Sequence, residues 1–138
     1  MNAHEFLSQI IKIDAIIANK LREVKRWSDV ARSLGGISSG ERVQTSSNFG
    51  RVPDAVCRYV DLEREIEDLK RERAAIIRRI EQLPSDEYKI IYAIYVEGAS
   101  IKEVAYRLGK SYDSIKKRKK KALRMVQGLN DSAEEGQT

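Results

Sequence analysis

Two long runs of this chain place apolar residues at alternating steps of three and four, a spacing that only helices in need of a partner can use. From Ala3 the positions are Ala3, Phe6, Ile10, Ile13, Ile17, Lys20, Val24, Trp27, Ala31 and Leu34, and nine of the ten are apolar. Leu7, Ile11, Ile16 and Leu21 widen this stripe. From Ala55 the positions are Ala55, Tyr59, Leu62, Ile66, Leu69, Arg73, Ile76, Ile80 and Leu83, and eight of the nine are apolar. Such a period keeps side chains on one helix face and would scatter them over both faces of a strand. Gly35–Gly36 ends the first run and Pro84 the second. Helices of roughly 30 residues are about 45 Å long, and one connection folds them most simply into an antiparallel hairpin. With two prolines in 138 residues, the expected fold class is all-α: a long coiled-coil-like hairpin, residues 1–83, followed by a small helical domain.

The connection, residues 35–53, is rich in Gly, Ser and Asn and has no period, so a long loop is expected. It serves as a connector or, through Arg42, Gln44 and Arg51, as a contact loop. Asp54, after Pro53, is the expected cap of the second helix. Lys20 and Arg73 interrupt the stripes, either to set register or to snorkel outward. A bare two-helix hairpin is thin for stripes this wide. It is therefore expected to pack on the C-terminal domain or on a second subunit, giving a homodimer.

From Ser85 the pattern changes. Ser85 is a candidate cap for DEYKIIYAIYVEG, in which Tyr88, Ile91, Tyr92 and Tyr95 fall near one face and Gly98 closes the helix. Ser100 and Glu103 make an S-x-x-E capping box, so the next helix starts at Ile101. Ile101, Val104, Ala105 and Leu108 give it an apolar face, and Gly109 stops it. Ser111 then caps a helix from Tyr112, whose buried stripe is Ile115, Ala122, Leu123 and Val126. Two helices with a short glycine turn form a helix-turn-helix over residues 84–129. Residues 130–138 are small, polar and acidic, and are expected to be a disordered tail.

Charge is concentrated on this motif. Residues 1–101 hold sixteen basic and sixteen acidic residues; residues 102–124 hold ten basic and two acidic; residues 125–138 hold three acids and no base. One short region thus carries the whole positive excess, as a phosphate-binding surface requires. Double-stranded DNA is the implied partner. Ser111, Tyr112, Asp113 and Ser114 stand where a recognition helix reaches base edges, and Lys116, Lys117 and Lys120 lie off the apolar stripe to meet phosphate or guanine. Asp113 either accepts from a cytosine amino group or steadies the helix start. Lys110 and the Ser111 amide are candidate phosphate contacts.

Other chemistries lack their residues. The lone Cys57 excludes an internal disulfide and a cysteine zinc cluster. The single His4 is expected to be an exposed surface residue. The sequence shows no nucleophile–histidine–acid set, no H-E-x-x-H and no phosphate-binding glycine loop. The expectation is no enzyme, no metal and no cofactor. Without a membrane-length apolar run or a secretory signal, a soluble intracellular (cytoplasmic) protein is expected, with no membrane partner.

The segment LPSDEYKIIYAIYVEGASIKEVAYRLGKSYDSIKKRKKKAL, Leu83–Leu123, resembles region 4 of bacterial sigma factors. The shared pattern is Leu-Pro, Tyr-Val-Glu-Gly, Glu-Val-Ala, Leu-Gly, Ser, Ser-Ile-Lys and Ala-Leu, much of which LuxR-type regulators also have. The resemblance implies that the last helix reads promoter DNA and that the domain touches RNA polymerase. Lys119 departs from it, standing where sigma factors commonly have an apolar residue. RVQTSSNFGRVPDAVCRYVDLEREI, Arg42–Ile66, is similar to small phage and prophage proteins of the RinA/ArpU type, activators of late genes. No counterpart of sigma region 2 is present, which implies that promoter melting is left to another protein. The alternatives are a DNA-packaging adaptor like a small terminase subunit and an interaction module that holds RNA polymerase or a sigma factor.

Overall fold

The computed structural model describes residues 1–35 and 46–136, which form five α-helices and no strand. They are α1 (Ala3–Gly35), α2 (Ser46–Glu81), α3 (Ser85–Ile91), α4 (Ile101–Leu108) and α5 (Tyr112–Glu135). A π-helical turn, Tyr92–Val96, extends α3. The all-α architecture is the one the heptads require. The chain divides into two compact units: Asp14–Arg71, and Met1–Ile13 with the chain from Glu72 on.

Asp14–Arg71 is an antiparallel pair made of the later part of α1 and the earlier part of α2. Among its residues whose burial is described, Ala55, Leu62 and Ile66 are buried, each at a predicted heptad position of α2. The facing α1 stripe, Ile17, Val24, Trp27 and Ala31, is half-buried. Lys20, the break in that stripe, reaches across to Glu65 with Nζ 2.7 Å from Oε2. The interruption is thus an ion pair between the helices. That bond and the ammonium charge hold the Glu65 carboxyl below the usual carboxylate range.

α2 begins at Ser46, so it runs through residues 46–53 of the expected loop and carries Pro53 inside it. Asp54 consequently stands within the helix and does not cap it. Pro53 gives up one backbone hydrogen bond, at a cost of roughly 3 kcal/mol. Such a loss marks a weak point, and helix can still form on the proline's N-terminal side. Residues 36–45, the remainder of the expected loop, lie outside the described residues.

The other unit gathers the first residues of α1, the end of α2 and helices α3 to α5. Leu7, Ile10, Ile80, Ile91, Ile115, Ala122 and Val126 have essentially no exposed surface. The centre of the C-terminal part is a cluster of Ile90, Ala93, Ala99, Val104, Ala105 and Ile115, with Ile94 and Ile101 packed on it. Completely burying one such aliphatic side chain stabilises by about 1.5–3 kcal/mol.

Local signals set the boundaries. Ser85 is the first helical residue of α3, not its cap; Pro84 holds the capping position, and its carbonyl accepts from the Tyr88 amide at 2.8 Å. The π turn then adds a residue: the Glu97 amide donates to the Tyr92 carbonyl at 3.1 Å, and Ala99 to Ala93 at 2.9 Å. The wider turn lets Ile90, Ile91, Ala93 and Tyr95 all be buried within six residues, more than one face of a regular helix accommodates. Gly98, at φ 77°, ends it. α5 continues to Glu135, so residues 130–135 are helical where the acidic composition predicts a disordered tail. Ala133, Glu134 and Glu135 favour helix, and Gln127 donates to Asp131 one turn on.

Candidate nucleic-acid interface

The helix-turn-helix is built from two serine caps and one glycine. Ser100 Oγ accepts from the Glu103 amide at 3.1 Å and starts α4. Gly109 ends it at φ 65°, where its own amide donates to the Tyr106 carbonyl and the Lys110 amide to that of Ala105. This pair of bonds is a Schellman closure, and it satisfies carbonyls that the helix end would otherwise leave open. Ser111 Oγ accepts from the Ser114 amide at 3.1 Å and starts α5. Three residues therefore turn the chain from one helix into the next.

Burial of Ile115, Ala122 and Val126 fixes the rotation of α5. At about 100° per residue, Asp113, Lys117 and Lys120 then occupy the opposite face and Lys116 its flank. All four are exposed. Lys110 and Ser111 are exposed in the turn, and Tyr112 is half-exposed at the first position of the helix. Ser114 is partly covered, on the flank of the same first turn. The eight residues selected from the sequence thus occupy the turn and the outward side of α5. Spacing also puts Arg124, one turn beyond Lys120, on this face, and it is exposed. Its four-residue step from Lys120 is the sequence signal that adds it to the eight. Tyr106, on the outer side of α4 next to Lys102, is 90% exposed and likewise falls outside the eight.

The six consecutive cations 116–121 separate into two groups. Arg118 Nη1 lies 3.0 Å from Asp86 Oδ2, Lys121 Nζ lies 3.8 Å from buried Glu87, and Lys119 Nζ stands 5.7 Å from the centroid of the Tyr95 ring. Arg118 and Lys119 are partly covered against their own domain, and Lys121, though exposed, still reaches one of its carboxylates. Lys116, Lys117 and Lys120, with Lys110, have no ion-pair partner among the described residues. Lys119 thus occupies a position commonly apolar in sigma factors by laying its charge on an aromatic face. Tyr95 is itself tied to His4, with Nδ1 2.8 Å from the phenol oxygen, and burial pushes its phenol above the ordinary tyrosine range. His4 is exposed, as expected, and yet it is engaged with the domain.

Residues 73–126 match the sequence profile of Sigma-70, region 4. The C-terminal part of the chain is therefore a sigma-region-4-like helix-turn-helix. The match begins near the end of α2 and includes α3, the π turn, α4 and most of α5. No curated protein and no solved structure matches the chain. Among the described residues, no group of His, Cys, Asp or Glu is placed to hold a metal ion, and no helix is long and apolar enough to cross a membrane.

The sigma-region-4-like domain also has two hollows beside α3. One, between α3 with its π turn and α4, is lined chiefly by Tyr88, Tyr92, Val104 and Leu108. The other lies next to the turn and contains Asp86, Lys89, Lys110 and Arg118.

Proposed function

We propose that this protein is a sequence-specific DNA-binding transcription regulator that docks residues 112–124 in the major groove. The reading is carried by one observation. Within the part that matches Sigma-70, region 4, the outward face of α5 presents Lys116, Lys117 and Lys120 without internal partners, next to Lys110 in the turn. Unpaired cations on a recognition helix are the group that phosphates and guanine edges neutralise. Ser111, Tyr112, Asp113 and Ser114, at the start of the helix, supply the base-reading end.

The finer parts of the proposal have their own supports. RNA polymerase is a partner because the domain is of the sigma-region-4 kind. A role as activator of phage late genes rests on the RVQTS…DAV…VDLE resemblance of residues 42–66. A homodimer is supported by the Asp14–Arg71 unit, where none of the α1 residues whose burial is described is fully buried against α2, leaving apolar surface for a second copy. Such a dimer reads two half-sites about 10 base pairs apart or a multiple of that. The protein acts in the cytoplasm of a bacterial cell and is not an enzyme.

Footprinting over candidate promoters, with and without RNA polymerase, tests the reading. The expected result is a discrete protected site. Lys116→Ala and Lys117→Ala should each weaken binding to every duplex and lower the salt slope by about 1. Unchanged affinity and slope in both variants would refute docking through α5.

A further inference from the structure

The hollow next to the helix-turn-helix turn is a cleft of about 220 Å³. Its apolar lining is Ile90 of α3 and Ile115 of α5, both buried, with the partly exposed Leu108 at the end of α4. Its polar lining is Lys89, Lys110 and Arg118 against a single carboxylate, Asp86. Arg118 donates to Asp86 at 3.0 Å, which uses that carboxylate and holds the guanidinium at the wall of the cleft. Lys89 and Lys110 are exposed, and their side chains have no hydrogen-bond or ion-pair partner among the described residues. Two lysines, neither paired, thus line one small space together with apolar side chains that lower the local dielectric. Folding gains nothing from that arrangement, because like charges repel more strongly there than in open water. An oxyanion entering the cleft would relieve the repulsion and collect several charge-assisted hydrogen bonds.

We propose that this cleft is a phosphate-binding site, with Lys89 and Lys110 donating to the phosphate oxygens and Arg118 offering the N–H groups that Asp86 leaves free. The nearest source is a backbone phosphate of the duplex, because Lys110 belongs both to the cleft and to the proposed DNA interface. In that form the inference rests on the DNA-binding reading and extends the footprint to α3. Free phosphate is the other source of the same chemistry.

The test uses the full-length protein on the footprinted duplex and on an unrelated one, over a series of salt concentrations. Lys89→Ala should weaken both complexes by the same factor and lower the salt slope by about 0.9, and Lys89→Arg should restore both. Asp86→Asn should change affinity in the opposite sense, since it removes the opposing charge. Lys89 is exposed, so an unchanged melting curve serves as the check on folding. In a second arm, inorganic phosphate is titrated into DNA-free wild type and Lys89→Ala and followed by amide chemical shifts. Loss of slope without phosphate binding assigns the site to the duplex. Saturable phosphate binding that Lys89→Ala abolishes assigns it to the free anion. Neither effect, in a wild type that does bind DNA, overturns the proposal. Failure of the wild type to bind any duplex would instead refute the regulator reading, and the phosphate arm would still decide the cleft.

Discussion

Arg118, Lys119 and Lys121 carry the same charge as Lys116, Lys117 and Lys120, and what separates them is whether a group of their own domain comes within reach. Each of the first three meets something delivered from α3 or the π turn: Asp86, the Tyr95 ring and Glu87. Exposed ion pairs of this kind contribute about 0–1 kcal/mol, so they orient side chains more than they hold the domain. The spacing of Ile115, Ala122 and Val126 made the outward set legible. The inward partners were not, because they come from about thirty residues earlier in the chain. Gly109 is the residue where the turn depends most on identity. Its φ of 65° strains any side chain, while a Cβ there would meet nothing within 4 Å. Gly109→Ala should therefore cost only the backbone strain, about 1–2 kcal/mol, read as a shift in denaturation midpoint at unchanged slope.

Among the elements, α1 and α2 follow their heptads closely. Five of the eight heptad positions within α2 are buried, as is Leu83 just beyond its end, and Tyr59, Leu69 and Arg73 are half-buried. The polar break at Lys20 proves to be the cross-helix pair with Glu65, which spacing alone could not distinguish from snorkelling. A carboxylate lowered in the folded state stabilises above its unfolded value, and that stability is lost as pH falls through the folded value. Lys20→Met should thus flatten the acid limb of stability, seen as a smaller loss of melting temperature between neutral pH and the carboxylate range than wild type shows. Element ends were harder to read. Proline reads locally as a start signal, so Pro53 suggested Asp54 as a cap, while α2 continues back to Ser46. The π turn left no trace in the spacing, since an inserted residue shifts the pattern without breaking it.

At the scale of the molecule, the sequence reading draws a boundary at Leu83, whereas the structure groups Met1–Ile13 and the end of α2 with the helix-turn-helix. Leu7, with no exposed surface, belongs to that unit although it lies more than a hundred residues from the recognition helix in the chain. Leu7→Ala should destabilise the DNA-binding unit by about 2–5 kcal/mol, measured as an earlier loss of Tyr95 burial on heating. A variant that lost stability elsewhere while the Tyr95 transition stayed in place would contradict the grouping.

Periodicity, caps and charge by themselves determined the helices, the turn and the outward cationic face, because each depends on residues within a few positions of one another. Tertiary structure alone decided that α1 begins in the C-terminal unit, that three of six cations meet partners in their own domain, and that Lys89, Lys110 and Arg118 share one cleft. Those arrangements depend on which distant faces bury each other, and apolar stripes specify that they need a partner without specifying which one.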